Sequence, residues 1–520
     1  MSHAEQVEIP PLPRRIHELV ERHAGERPDA LALVDHDGRR LTWREYAQAV
    51  DNAVACLREA GVRGGDRVVI VLENCVAVAA MLMAASRLDA WAVLVNARLS
   101  APELERIRAH CEPRALVFTD AVSPDARRHA DRLDARHVQD PLFGSVRIAG
   151  GLPCSPEPVQ DGNAGQVAAM IYTSGTTGTP KGVMLTHANV LFIAVVSGAT
   201  RALNAADLVY AVLPISHGFG LASTFLGTVN GGGALMLVPR FDPAHLARAL
   251  AEGVTVFQGV PAMYAKLLEH LDRAGEALRA PRLRYMSAGG APLDLDWKRR
   301  IEARFGTALN NGYGLTEAAP TVSQTRIDDP RQDDSVGPAL PGVAIRIVDQ
   351  QGRDVPEGEV GEVWVRGPNV MKGYYRDAAA TAETVTADGW LRTGDLGRRD
   401  PDGALFLVGR SKELIIRSGF NVYPPEVEAA FNAHPEVVQS AVVGRRVSGN
   451  EEVIAFVELV PGACADERAL QAFAAERLAP YKRPQHLFIR DHLPASSTGK
   501  ITKHALTLLA GELIAGKGTS

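Results

Sequence analysis

The chain has 520 residues, of which 46% are hydrophobic and 22% are charged, and its formal net charge is −5. This length is too great for one compact domain and predicts two to four units. The nearly balanced charge argues against a nucleic-acid-binding protein that works through bulk charge, and no long basic run is present to follow a phosphate backbone.

The cysteine pattern and the chain ends predict a cytoplasmic protein. Five scattered cysteines include no Cys-x-x-Cys pair, which predicts reduced thiols and no structural metal site. The first residues lack the apolar core of a signal peptide. The longest apolar stretch, residues 76–95, is interrupted by Ser86, Arg87 and Asp89, so we expect no integral membrane segment.

The first elements in the chain are helical and hairpin patterns. An amphipathic helix is predicted at residues 16–23, and a hairpin with an Asp37-Gly38 turn at residues 30–42. Thr42 with Glu45 is the sequence signature of a capping box, which begins a helix over residues 43–60.

Strands and helices then alternate as far as residue 286. Buried strands are predicted at residues 67–72, 92–95 and 115–118, with helices over 76–88 and 103–111 between them. This alternation is typical of a parallel sheet covered on both faces. We therefore predict an α/β fold with two doubly wound α/β subdomains in the first 336 residues.

The pattern changes after residue 336. Short strands separated by Gly, Pro and Asp turns predict a β-rich subdomain at residues 337–409, either barrel-like or a distorted antiparallel sheet. A compact α+β unit follows at residues 410–520. We place the boundary between a large N-terminal domain (1–409) and a small mobile C-terminal domain at residues 409–412.

One loop, residues 172–182, has a composition suited to phosphate. It follows an apolar strand at residues 167–171, and its last ten residues hold three glycines, five hydroxyl side chains and Lys181. Glycines let successive N–H groups point into one concavity, and the hydroxyls and the lysine add donors. The spacing differs from Gly-x-x-x-x-Gly-Lys-Ser/Thr, so this would be another kind of phosphate loop. The structural alternative is a flexible surface linker.

Five further stretches carry possible chemistry, and each alone has an ordinary structural explanation. Small residues at 286–293 permit close approach of a flat ligand. In residues 310–317, Tyr313 can stack on a base and Glu317 can hold Mg²⁺, or the segment is a plain loop. Asp395 can accept hydrogen bonds from two ribose hydroxyls, or it is a turn residue. Residues 409–428 and Lys500 would, taken alone, be a solvated linker and a solvated loop lysine.

Together, and in this order, these five elements resemble the acyl-adenylate-forming superfamily. The resemblance covers nearly the whole chain and is to its acyl-CoA synthetase branch, similar to 4-coumarate/aryl and fatty acid CoA ligases. It implies ATP, Mg²⁺ and coenzyme A as reactants or cofactors, and a carboxylic acid as the other substrate. We expect a monomer or homodimer, and the charge balance argues against a nucleic-acid partner.

The resemblance assigns nucleotide contacts residue by residue. The phosphate loop is matched by Thr173, Ser174, Gly175, Thr176, Thr177 and Lys181. The adenine segments are matched by Gly289, Gly290, Ala291, Asn311, Gly312 and Tyr313. Thr316 and Glu317 match the phosphate and Mg²⁺ contacts, and Asp395 and Arg410 match the ribose contacts.

It assigns the remaining roles in the same way. Lys412 matches the hinge, and Lys500 matches the lysine that bridges the substrate carboxylate and the α-phosphate. His217 matches a residue beside the acyl pocket. The pantetheine tunnel is matched by Ser418 and Gly419, and the site of a CoA phosphate by Arg240. The implied catalytic residues are Lys500, Thr316, Glu317, Lys181 and His217. Ile416 and Ser418 stand where plant-type ligases carry lysines, which puts the CoA-side details in question.

The residues expected to line the acyl pocket are mostly apolar or small. Its candidate walls are His217, Gly218, Phe219, Gly259, Val260, Ser287, Ala288, Gly312 and Gly314. No Arg or Lys stands among them to hold a second carboxylate, so we expect an aromatic or a medium- to long-chain fatty acid. Loading of a carrier protein in place of CoA, a non-CoA acyl-AMP ligase and a non-catalytic binding module remain alternatives.

Overall fold

The computed structural model describes residues 9–173, 180–275, 277–418, 420–447, 450–495 and 501–517. The first segment alternates helices and strands, as predicted. Its elements are α1 (Glu18–Glu26), β1 (Leu31–Val34), β2 (Arg40–Thr42), α2 (Trp43–Glu59), β3 (Arg67–Leu72), α3 (Val76–Arg87), β4 (Trp91–Asn96), α4 (Ala101–Cys111), β5 (Ala115–Phe118), α5 (Pro124–Arg132), β6 (Arg136–Asp140), β7 (Gly144–Ala149), β8 (Val167–Thr173) and β9 (Lys181–Thr186).

A second run of the same kind follows. It comprises α6 (His187–Thr200), β10 (Leu208–Ala211), a π-helix (Phe219–Leu226), α7 (Gly227–Gly231), β11 (Ala234–Leu237), α8 (Pro243–Glu252), β12 (Val256–Gly259), α9 (Pro261–Ala274), β13 (Tyr285–Ala288), α10 (Leu295–Phe305), β14 (Leu309–Gly314), a 3₁₀ helix (Thr316–Ala318) and β15 (Thr321–Gln324).

The last two runs are the β-rich and C-terminal units. The β-rich unit contains β16 (Ala344–Val348), β17 (Gly361–Arg366), β18 (Gly373–Tyr374), α11 (Ala378–Thr384), β19 (Leu391–Arg399) and β20 (Leu405–Arg410). The C-terminal unit contains 3₁₀ helices (Ser411–Glu413, Pro480–Lys482), β21 (Ile415–Arg417), β22 (Phe420–Val422), α12 (Pro424–Asn432), β23 (Val437–Val447), β24 (Asn450–Leu459), α13 (Glu467–Ala475), β25 (His486–Arg490) and α14 (Lys503–Lys517).

Two eight-stranded sheets confirm the predicted pair of α/β subdomains. One has the order β18-β9-β8-β4-β3-β5-β7-β6 and the other the order β15-β14-β13-β12-β10-β11-β1-β2. The central strands of each are parallel, and antiparallel strands lie at the edges. One apolar cluster joins both sheets through α2, α3 and α6. Helix α3 is buried all round because it lies between the sheets.

Two strands join sheets far from their own place in the sequence. The first hairpin belongs to the second sheet, because β1 pairs in parallel with β11. Strand β18 leaves the β-rich segment and pairs with β9 of the first sheet. Both pairings are long-range, so local sequence patterns do not specify them. The second of them carries a tyrosine into the functional site.

The rest of the β-rich segment is a four-stranded antiparallel sheet, β16-β17-β19-β20. Of the two expectations for this segment, barrel-like or distorted sheet, the sheet is the one observed. Beyond β20, two further apolar clusters contain only residues from Ile415 onward. The domain boundary at residues 409–412 stays a prediction. Within the described part of the chain, no helix combines the length and apolarity needed to cross a membrane.

Candidate active site

The first site cluster forms where β18 pairs with β9. Lys181 begins β9, and Glu317 lies in the 3₁₀ helix that follows β14. Tyr374 of β18 lies between them: its hydroxyl donates to Glu317 Oε1 at 2.9 Å. The Lys181 Nζ lies 4.8 Å from the centroid of the Tyr374 ring, a cation–π distance. The pairing of two strands thus joins the lysine and the carboxylate that the sequence assigned to phosphate and Mg²⁺.

The Tyr374 hydroxyl is held in its protonated, donating form. Burial raises the pKa of Tyr374, and the Glu317 carboxylate raises it further. A phenol that cannot ionise at neutral pH is a fixed donor to the carboxylate beside it. Tyr374 therefore orients Glu317, while its ring supports the Lys181 ammonium. The remainder of the predicted phosphate loop, Ser174, Gly175, Thr176 and Thr177, lies outside the described residues.

A second cluster joins the adenine and ribose candidates. The Tyr313 hydroxyl donates to Asp395 Oδ2 at 2.5 Å, and Arg410 forms an ion pair with Asp395, with 3.0 Å between Nε and Oδ1. The antiparallel pairing of β19 with β20 places Asp395 directly opposite Arg410. Burial raises the pKa of Asp395, although Arg410 and Tyr313 act in the opposite direction. A carboxylate in this position, with its charge partly offset, is a suitable acceptor for vicinal hydroxyls.

Two glycines of the first adenine segment are favoured for different reasons, a close contact at Gly289 and a positive φ at Gly290. A Cβ on Gly289 would lie 3.0 Å from Phe219 Cε1 and 3.7 Å from the Gly312 carbonyl oxygen. Gly290 has φ +79°, a left-handed conformation that favours glycine. Gly290 and Ala291 are exposed, so their backbone is accessible to a ligand.

The side chain of Asn311, a predicted adenine contact, is bonded to the protein's own backbone. Its amide Nδ2 donates to the carbonyls of Asp334 and Ser335, both at 3.2 Å, and its Oδ1 accepts from the Gly312 N–H. The side chain is therefore committed to neighbouring backbone. Any contact of Asn311 with a base would come from its main chain.

The acyl-pocket candidates fall around the start of the π-helix. His217 Nδ1 accepts from the Phe219 N–H at 3.4 Å, and Phe219 begins the helix and lies against Gly289. Eight residues of π-helix are unusual, and such segments occur frequently at functional sites. Of these three candidates, Phe219 lies against the adenine segment at Gly289; the roles of His217 and Gly218 stay predictions.

Other predicted wall residues point away from this region. The Ala288 side chain belongs to the apolar cluster under α9, so only its backbone can line a pocket. The Cβ position of Gly259 likewise faces Phe257 and Met263. A Cβ on Gly314 would lie 2.1 Å from the Pro320 carbonyl oxygen, so this glycine is required by the chain itself. Val260 is the N-cap of α9 and is half-buried.

The remaining candidates are the predicted CoA contacts and the two candidate lysines of the C-terminal unit. Arg240 Nε donates to both oxygens of Glu73, at 2.9 and 3.0 Å, and its Nη2 to Asp125 at 2.9 Å. It is thus already paired with two carboxylates. Ser418 has φ +52°, and its N–H donates to Asn450 Oδ1 at 2.6 Å. Gly419 and Lys500 lie outside the described residues, and Lys412 is exposed in the 3₁₀ helix Ser411–Glu413.

Sequence reasoning missed Tyr374. Nothing in its local sequence, Gly-Tyr-Tyr at 373–375, marks it as a site residue. Its two partners are Glu317 and Lys181, and only the pairing of β18 with β9 brings the three together. A tyrosine next to a glycine in a turn-rich segment is a weak signal, so the tertiary structure was needed.

Comparison with known proteins agrees with this geometry. Residues 20–375 match the family model described as "AMP-binding enzyme", and residues 426–500 match its C-terminal domain. The chain is 36% identical to a feruloyl-CoA synthase of Amycolatopsis sp (93% of this chain, 96% of the relative). It is 33% identical to 4-coumarate–CoA ligase 2 of Oryza sativa subsp. japonica (94% and 91%).

Solved structures agree as well. ATP-bound MatB from Rhodopseudomonas palustris superposes with a TM-score of 0.82 at 31% identity, covering 95% of this chain and 98% of that one. The apo form of MatB gives a TM-score of 0.73 at the same coverage. By this measure, the structure of this chain is more similar to the ATP-bound form of MatB than to the apo form.

Proposed function

Because the chain belongs to the AMP-binding enzyme family and is an AMP-forming CoA ligase, we propose that it activates a hydrophobic carboxylic acid in two steps. In the first, the carboxylate attacks the α-phosphorus of ATP, an acyl-phosphate bond forms, and pyrophosphate leaves. In the second, the CoA thiolate attacks the acyl carbonyl, a thioester forms, and AMP leaves. No covalent enzyme nucleophile is required.

The observation that carries this proposal is the pair of clusters around β14. Lys181, Tyr374 and Glu317 form one, and Tyr313 and Asp395 belong to the other. Tyr313 and Thr316 are only three residues apart, so nucleoside and phosphate groups of one ATP can reach both clusters. The first supplies a cation and an oriented carboxylate for the phosphates. The second supplies a ring and a carboxylate for the nucleoside.

The donor set fits a magnesium ion. Mg²⁺ prefers carboxylate and phosphate oxygens, and Glu317 is a half-buried carboxylate oriented by one hydrogen bond. Glu317 would hold the ion, with the Thr316 hydroxyl on a phosphate. When bound, Mg²⁺ neutralises charge on the phosphates.

The first step brings two anions together, and the chain's own cations offset this. Negative charge shifts to the leaving pyrophosphate as the acyl-phosphate bond forms, so donors fixed near it lower the barrier. We assign Lys181 to the β- and γ-phosphates. Lys500, from the C-terminal domain, is assigned to the substrate carboxylate and the α-phosphate. Arg410 would support Asp395 on the ribose.

A Tyr374→Phe variant is expected to slow adenylation about 3- to 10-fold, because one hydrogen bond to Glu317 is lost while the ring under Lys181 remains. The Mg²⁺ concentration for half-maximal rate should rise, because Glu317 is no longer held in place. Pyrophosphate release measured over a Mg²⁺ titration checks this.

Tyr375→Phe is the matched control for that variant. Tyr375 is the next residue, and its hydroxyl donates to Glu157 at 2.8 Å rather than to the site. Its Mg²⁺ titration should follow the wild type. If both variants shift the Mg²⁺ requirement equally, Tyr374 has no special role in positioning Glu317.

The second step needs room for pantetheine at the same carbonyl. We propose that the C-terminal domain rotates about Lys412, withdrawing Lys500 and presenting residues 418–419. The closer similarity to ATP-bound MatB supports an adenylation-type arrangement for the present structure. Arg240 is kept as the candidate contact of a CoA phosphate, in which case that phosphate would compete with Glu73 and Asp125.

The acid itself is proposed to be aromatic or a medium- to long-chain fatty acid. The pocket candidates around Phe219 are small or apolar, which supports this class. The names of similar proteins span feruloyl, 4-coumarate and long-chain fatty acid ligases. A monomeric or homodimeric cytoplasmic enzyme remains our expectation.

The test is a pyrophosphate-release screen of purified enzyme across benzoates, phenylpropanoids and fatty acids of graded length. A clear preference for one of these series, with thioester formed from free CoA, would support the proposal. Thioester on a carrier protein but not on free CoA would favour the carrier-loading alternative. Acyl-AMP with neither acceptor would favour the non-CoA ligase.

A further inference from the structure

Two buried polar side chains at the end of the second sheet have no internal hydrogen-bond partner. Gln258 is 0% exposed, and neither its amide oxygen nor its amide nitrogen is bonded within the described part of the chain. Ser287 is 5% exposed, and its hydroxyl likewise has no partner among those residues. Buried polar groups are nearly always paired, since an unpaired one costs roughly 1–3 kcal/mol. These two require an explanation.

The two side chains lie next to each other on one face. Gln258 of β12 and Ser287 of β13 are directly paired in parallel register. Residues two apart on a strand share a face, so Gln258 lies on the face of Val256 and Ser287 on that of Tyr285. Val256 and Tyr285 pack in the apolar cluster that contains the π-helix. Gln258 and Ser287 therefore lie on the side of the sheet that packs in this cluster.

That position is the wall of the proposed acyl pocket. Both residues lie at the carboxyl ends of their strands, where parallel α/β sheets bind ligands. Two residues after Ser287 comes Gly289, whose Cβ position is 3.0 Å from Phe219 at the start of the π-helix. Ser287 and Phe219 thus flank the same space as the adenine segment.

We propose that Gln258 and Ser287 are specificity-determining residues that bind a neutral hydrogen-bonding substituent, such as a hydroxyl, on the acid. This rests on the proposed function. An amide and a hydroxyl each both donate and accept, and neither carries charge. They can therefore form hydrogen bonds with a substituent that is itself both a donor and an acceptor. An alkyl chain would leave them unpaired, and a second carboxylate would not be neutralised by them.

The buried guanidinium of Arg201 does not change the assignment of Gln258 and Ser287 to a neutral substituent. Arg201 is fully buried, but its guanidinium donates to the Ser223 carbonyl at 2.9 Å and to Gln324 Oε1 at 3.0 Å. Burial lowers the pKa of Arg201. These two bonds tie the arginine to the π-helix and β15. A dicarboxylate as the preferred substrate would show that Arg201, and not the neutral pair, sets specificity.

The experiment compares acids that differ by one hydroxyl. Cinnamic acid with and without a ring hydroxyl, and a fatty acid with and without a terminal hydroxyl, are assayed for kcat/KM by pyrophosphate release, together with a dicarboxylic acid of matched size for each pair. In at least one series the wild type should prefer the hydroxylated acid by tenfold or more. Gln258→Met, similar in length, should lower kcat/KM for that acid about 10- to 100-fold and leave its unsubstituted partner within about threefold. Ser287→Ala should act in the same direction.

A buried glutamine elsewhere provides the control. Gln166 is 1% exposed, and both of its amide atoms are bonded, to the Asp89 carbonyl and the Gln160 N–H. Gln166→Met should lower the melting temperature and leave the hydroxyl preference unchanged. Gln258→Met should not lower the melting temperature, because it removes two unpaired polar atoms.

The outcomes separate the two proposals. Release of pyrophosphate from no acid at all would contradict the proposed function. Turnover with the same hydroxyl preference in wild type and in both Gln258→Met and Ser287→Ala would overturn the inference alone. Preference for a dicarboxylate over both members of each pair would overturn it too.

Discussion

Lys500→Ala is expected to reduce acyl-adenylate formation by roughly 10²- to 10³-fold, because one donor to the developing charge is lost. The same variant should convert preformed acyl-AMP and CoA into thioester at a rate near that of the wild type. The reason is that Lys500 is assigned to the first step alone and would be withdrawn in the second. Stopped assays of pyrophosphate release and of thioester formation, run on one enzyme preparation, measure both rates.

Lys266→Ala is a suitable control for this experiment. Lys266 is an exposed lysine on α9, so its removal should leave both half-reactions unchanged. An equal loss in both half-reactions of the Lys500 variant would contradict its assignment to adenylation. It would indicate instead that the C-terminal loop is needed for the fold of the domain.

Lys412→Pro is expected to spare adenylation and to abolish thioester formation. Proline fixes φ near −65° and restricts the preceding residue, so the backbone at Ser411 and Lys412 could not take up a second conformation. Lys412 is exposed in the 3₁₀ helix Ser411–Glu413, and the typical φ of such a helix is close to that of proline, so we expect the adenylation state to tolerate the change. Single-turnover assays of each half-reaction test this.

Lys412→Ala is the matched variant, since it removes the same side chain and leaves the backbone free. Both of its half-reactions should stay within about twofold of the wild type. Should the alanine variant lose thioester formation as fully as the proline variant does, the ammonium group rather than the backbone rotation would be responsible. Unchanged CoA turnover in Lys412→Pro would argue against a hinge at this position.

Much of the fold was predictable because its signals are local. The central strands of the first sheet, such as β3, β4 and β5, are mostly apolar runs. The capping box at Thr42 begins α2 as expected: the Glu45 N–H donates to Thr42 Oγ1 at 3.3 Å, and the Glu45 carboxylate accepts from the Thr42 N–H at 2.8 Å. The parallel sheets follow from the alternation of strand and helix. In contrast, β1 and β18 join strands distant in sequence, which no local pattern encodes.

For the candidate site, too, several residues could be predicted from the sequence, but the contacts of their side chains could not. Glu317, Asp395 and Lys181 are in recognisable sequence segments, so a role for each could be predicted from the sequence. Their geometry was not: Tyr374 was missed, and the side chains of Asn311 and Ala288 proved to be committed elsewhere. A side chain's direction depends on which face of the strand packs against a neighbour, and that is a tertiary property.

The sequence by itself determined the fold class and the order of the motifs, because glycines, apolar runs and caps act over a few residues. The resemblance of its motifs also predicted a phosphate loop, a carboxylate for Mg²⁺ and a lysine near the C-terminus, and these roles stay predictions. Only the tertiary structure decided that Tyr374 would join Lys181 to Glu317, and that Gln258 and Ser287 would be left unpaired side by side. Such contacts arise from strand pairing and sheet packing, which depend on residues far apart in the chain.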